Sequence, residues 1–96
     1  MPTNVFVGSW RGAGSDGFHY EFTFTKKFTF TLDATNSFTG QTESFAGTYI
    51  LGPVGPDGFP TITLISNGVV VLHEEYSPAF EGMDLRGDVF IMMGKI

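Results

Sequence analysis

Cysteine is absent from the chain, which excludes disulfides, thiolate metal sites and cysteine nucleophiles. That absence fits a reducing compartment, and a cytoplasmic location is expected. Cations are scarce: Arg11, Lys26, Lys27, Arg86 and Lys95 stand against 10 Asp and Glu, for a net charge of −5. Nucleic acid is bound through a clustered basic face, and anionic membranes ask for the same, so neither is an expected partner. Long apolar runs are missing as well; the longest is 5 residues, at positions 89–93. A spanning helix needs about 20, and no basic stretch leads into an apolar one after Met1, so neither a membrane span nor a secretory leader is expected. No window carries a 3.6-residue period, which leaves no amphipathic helix to predict.

What the chain has instead is aromatic mass and alternation. Of 96 residues, 42% are hydrophobic, with 11 Phe, 3 Tyr and 1 Trp, and 13 Gly and 5 Pro punctuate them. A chain of this length fits one domain, residues 1–96, and each well-buried Phe contributes roughly 1.5–3 kcal/mol to its core. Between positions 20 and 32 the even residues are Tyr20, Phe22, Phe24, Lys26, Phe28, Phe30 and Leu32, and the odd ones are Glu21, Thr23, Thr25, Lys27, Thr29 and Thr31. One apolar and one β-branched polar face is the signature of a half-buried strand. A two-residue turn on Lys26-Lys27 would set Thr25 beside Phe28 on one face. A three-residue loop would restore parity but discard Phe28. One long, bent or bulged strand is therefore expected.

Further strands are expected at 5–10, 38–40, 45–51, 61–65, 69–76 and 85–93, with turns or loops at 33–37, 52–60 and 77–84. The 52–60 segment, with Gly52, Pro53, Pro56, Gly58 and Pro60, reads as a rigid surface loop outside any ladder. Asn67-Gly68 suits a type I′ turn and makes 61–76 the clearest hairpin. Links too short for crossover helices make the pairing antiparallel. The expected fold is all-β, a small antiparallel barrel or closed sandwich of about six to eight strands.

Gly8-Ser9-Trp10, followed by Ser37-Phe38-Thr39-Gly40 and Gly47-Thr48-Tyr49, resembles the small lipocalin-like barrels of the calycin group. The same order is similar to avidin-type barrels. The resemblance implies that Trp10 plugs one barrel end and that an Arg from the last strand, Arg86, covers its ring. It also implies a binding function for an apolar or amphipathic small molecule.

Lys26 is the odd member of the Phe-rich face. A buried ammonium must snorkel, pair or bind an anion, and in fatty-acid-binding relatives an interior cation holds a carboxylate; otherwise Lys26 marks a bend where the strand leaves the core. Lys26, Tyr49 and His73 are the candidate ligand anchors. With Asn67-Gly68 as the turn, Ile62 faces His73 and Leu64 faces Val71, which places His73 and Glu75 on the core face. They are either a proton-transfer pair or an edge-of-core His with an ordinary hydrogen bond. His19-Tyr20-Glu21 and His73-Glu74-Glu75 are both H-x-E, but nothing brings them together, so no metal site and no cofactor are expected.

The other face of that hairpin carries Ile65, Val70 and Leu72, and a homodimer through the outer face of Ile62 to His73 is expected. Three functions follow in order: a ligand-binding barrel, an interaction or inhibitor module presenting the 52–60 loop, and a small acid–base enzyme using His73 and Glu75.

Overall fold

In a computed structural model, residues 4–79 and 82–96 are described. Residues 1–3, and Phe80 and Glu81 within the expected 77–84 loop, lie outside them. Eight strands form among the described residues: β1 Gly8–Gly14, β2 Phe18–Phe24, β3 Thr29–Asn36, β4 Thr42–Val54, β5 Pro60–Ser66, β6 Val69–Ala79, β7 Gly82–Arg86 and β8 Ile91–Lys95. Each pairs antiparallel with the next, and β8 returns to β1 to close the barrel. Closure leaves no sheet edge running the barrel's whole length, the usual answer of an antiparallel sheet to its unpaired strands.

An eight-stranded barrel has an interior just wide enough for side chains, and here aromatic rings occupy it. Tyr20, Phe22 and Phe24 stack along β2 at 5.9 and 5.6 Å. Phe30, Leu32, Tyr49, Ile62, Leu64, Leu85 and Ile91 complete the buried centre. The chain before β1 caps one end: Phe6 is fully buried, edge-on to Tyr76 at 4.7 Å and to Phe24 at 5.3 Å. Trp10 is 5% exposed, and its indole N–H donates to the Phe6 carbonyl at 2.8 Å. The cation over its ring is Lys95 of β8, 5.7 Å from the centroid, and not Arg86. Arg86 stands over the Phe59 ring at 5.0 Å and donates to Ser77 Oγ at 3.1 Å. The registers explain the correction: Trp10 is opposite Lys95, whereas Arg86 ends β7 opposite Glu75.

The alternating segment 20–32 is two strands. Phe24 pairs with Phe30, and the loop Lys26-Lys27-Phe28 joins them, with Phe28 in the left-handed region at φ 61°. The Phe28 N–H donates to the Thr25 carbonyl at 3.2 Å, and Thr25 N–H donates to the Thr29 carbonyl at 3.0 Å. This is the three-residue hairpin that keeps Phe22, Phe24, Phe30 and Leu32 on one face. Its cost is a displaced Phe28, 45% exposed with its ring 5.2 Å from that of Tyr49.

Other boundaries move for similar reasons. Asp33 lies within β3 and accepts from Ser44 Oγ across the ladder, whereas Phe38 sits in a turn rather than a strand. The expected 85–93 strand is split by a turn at Gly87 to Phe90, which creates β7 and β8. The 52–60 segment enters the ladder, with Val54 paired to Pro60 across a bulge.

Candidate functional site

Asn67 and Gly68 both have positive φ, 53° and 77°, as a type I′ turn requires. Beyond the turn, Ser66 pairs with Val69 and Ile65 with Val70, but Leu64 then pairs with Leu72. Val71 is the extra residue of a β-bulge. A bulge shifts pairing by one residue and exchanges the two faces of everything beyond it. His73 is therefore opposite Thr63 and exposed, with its Nδ1 2.7 Å from Thr63 Oγ1. Glu74 takes the inward position opposite Ile62. The inward His73 expected from unbulged pairing is corrected, and with it the outward Leu72. Glu75 is also on the outer side, where its Oε2 accepts from the Asp57 and Phe59 N–H groups at 3.2 and 3.3 Å. Those bonds hold the 55–59 turn down on the barrel wall.

The sequence-derived anchors are not brought together. Lys26 is exposed in the β2–β3 turn. Tyr49 is buried; its hydroxyl donates to the Thr25 carbonyl at 2.8 Å and accepts from Asn4 Nδ2 at 2.7 Å, which ties β4 to the capped end. His73 belongs to β6 near the opposite end. The two H-x-E segments lie on β2 and β6, which are not neighbours in the barrel.

Glu74 is the residue that sequence reasoning passed over. It is 2% exposed, and its Oε2 has no hydrogen-bond partner among the described residues. Burial raises its pKa from 4.5 to about 7; the Val89 N–H pulls it down, and the charge of Asp88 raises it again. Tyr20, whose hydroxyl donates to Asp16, is raised as well, by burial first, then by its bond to Asp16, and also by the charges of Asp16 and Glu74. A Cβ on Gly87 would meet Glu74 Oε2 at 1.6 Å, so the backbone of the β7–β8 turn lies close against the carboxyl and any other residue there would push it aside.

A groove of about 530 Å³ opens at this place. Its origin is a mismatch of strand lengths. β6 begins at Val69, but β7 pairs with it only from Glu75 to Ala79. Residues 69–74 thus have β5 on one side and, among the described residues, no ladder partner on the other, and the chain turns away from them at Gly87. One wall is apolar, from Val70, Val71, Leu72 and Val89; the polar groups are His73, Glu74, Glu75, Arg86 and Asp88. The signal for this groove in the sequence is faint: an acidic residue next to His73 that a single bulge carries inward.

The chain matches no protein-family model, no curated protein and no solved structure.

Proposed function

We propose that this barrel is a binding protein for a small amphipathic molecule, held in the groove between β6 and the β7–β8 turn. The observation that carries the reading is the pairing of a groove of about 530 Å³ with a buried carboxyl on its lining, one oxygen of which has no hydrogen-bond partner among the described residues. Small-molecule sites typically measure ~300–1,000 Å³ and join apolar walls to a few fixed polar groups. The lipocalin-like resemblance is supported by the closed antiparallel meander and by Trp10 under a cation from the last strand. The proposed seat departs from that pattern. Aromatic side chains occupy the barrel axis, so the ligand lies in the wall, not in the lumen.

Two other readings gain less. His73 and Glu75 are occupied by Thr63 and by the 55–59 turn, which leaves acid–base catalysis without a free pair. A loop folded onto the barrel under Glu75 and Arg86 presents less of itself to a protein partner than a free-standing one. The test is a neutral solvatochromic dye such as Nile red, titrated against wild type and Val70→Trp. Val70 is 55% exposed on the groove rim, so the larger ring is tolerated there and obstructs the opening. Blue-shifted, saturable emission in wild type and its loss in the variant is the expected result. Equal binding by both proteins overturns the groove as the seat.

A further inference from the structure

We infer that the groove selects an amphipathic cation, its ammonium or guanidinium group set against the Glu74 carboxyl and its apolar body along Val70, Leu72 and Val89. This rests on the groove being the ligand seat and adds the sign of the charge it takes.

Three observations point the same way. First, Glu74 Oε2 is buried with no hydrogen-bond donor to it among the described residues. An unsatisfied buried polar atom costs about 1–3 kcal/mol, and more when charged, so a ligand that brings a donor gains what the empty site lacks. Second, three carboxylates line the groove against one guanidinium, and that guanidinium is already engaged by Phe59 and Ser77. Glu75 is satisfied by two backbone N–H groups, which leaves Glu74 and Asp88 as the acceptors on offer.

Third, the turns nearest Glu74 carry carboxylates. In an up-and-down meander, alternate turns fall at the same end. Lys26 and Lys27 sit in the β2–β3 turn and Lys95 at the end of β8 opposite Trp10, all at the end capped by Phe6. Asp16 and Asp88 occupy turns at the other end, where Glu74 lies. Asp57 shares the lysine end and Arg86 lines the groove, so the bias toward a cation at the groove comes from Glu74 and Asp88 close by.

Proton linkage gives the inference a second handle. The groups facing Glu74 are Asp88 and the Val89 N–H from the β7–β8 turn and Tyr20 from β2; its strand neighbours His73 and Glu75 point to the opposite side, and Arg86 is held outside with Ser77. Seating a cation on a carboxyl that holds its proton to about pH 7 expels that proton. Affinity for the cation then rises about tenfold per pH unit below 7 and levels off above it.

The experiment titrates the ¹⁵N-labelled full chain with hexylammonium, 1-hexanol and hexanoate and follows the amides of Val70, Leu72 and Val89. Hexylammonium is expected to bind about tenfold or more tighter than hexanol at pH 8, with hexanoate weakest. In Glu74→Gln the ratio of ammonium to alcohol affinity should fall to about one. If that variant does not fold, the pH dependence of the ratio in wild type serves instead. Equal affinities for the three at the groove, or a ratio flat from pH 5 to 8, would overturn the cation inference and leave the groove standing. A preference for hexanoate overturns it in favour of an anion on Arg86. Shifts from none of the three at these amides defeat both the inference and the groove reading.

Discussion

Raising the pH from 4 to 8 should destabilise this protein through one residue, Glu74. Its carboxyl has a pKa of about 7 in the folded chain against an ordinary value of 4.5, because it is buried without a partner for Oε2. The folded state therefore holds the proton more tightly than the unfolded state does. Between those two values the folded chain binds more protons, and stability falls as pH rises. Below 4.5 both states are protonated and nothing is lost; above 7 the full cost of a buried charge is present. The shift corresponds to about 3 kcal/mol, a large share of the stability of a small domain. It is equivalent to a drop in Tm on the order of 10 °C.

Glu74→Gln isolates the effect, since Gln has nearly the shape of the protonated acid and does not titrate. The measurement is urea unfolding of both proteins at intervals from pH 4 to pH 8, read as the difference between them. All other titrating groups are common to the two and cancel. The variant should gain about 3 kcal/mol relative to wild type across the window, with most of the gain between pH 5 and 7. A difference that stays constant with pH would refute the buried state of the Glu74 carboxyl.

Trp10→Ala should cost about 3–5 kcal/mol, and wild-type tryptophan emission should be blue-shifted, because the ring is 5% exposed beneath Lys95; an emission maximum typical of water would contradict the end-plug role. Gly47→Ala should cost upwards of about 2 kcal/mol in urea unfolding, since a Cβ there would meet the Ile65 carbonyl oxygen at 1.9 Å and force β4 from β5; an unchanged midpoint would refute that close approach. The homodimer expected through the outer face of the Ile62 to His73 hairpin is left with Ile65, Val70 and Thr63, since Leu72 is turned inward. Val70→Lys should leave the fold intact and convert a sedimenting dimer to a monomer, and a wild type already monomeric at micromolar concentration ends the dimer reading.

Strand identity was legible wherever side-chain chemistry alternates, because a period of two is a property of the backbone and survives any tertiary context. The faces of β2 and β3, the all-β class and the Asn67-Gly68 turn all came from this local information. Trp10 was singled out instead by the resemblance of Gly8-Ser9-Trp10 to small lipocalin-like barrels. What the local pattern could not decide was parity. The three-residue loop at Lys26-Lys27-Phe28 requires a phenylalanine at positive φ, which no propensity favours, and only the pairing of Phe24 with Phe30 inside a closed barrel compensates for it. The bulge at Val71 is the same kind of event.

Nothing in Val69-Val70-Val71-Leu72 marks one valine as the extra residue. Once the barrel closes, that one residue sends His73 to solvent and Glu74 to the interior. The candidate site is further removed from sequence still. It exists because β7 is shorter than β6 and because Gly87 lets a turn settle on a carboxyl, both consequences of where strands end in space. Sequence thus determined which residues form strands and which faces are apolar, since these depend on neighbours one or two positions away. Tertiary closure decided which polar residue is buried and where the wall opens, since these depend on register between strands and on their unequal lengths.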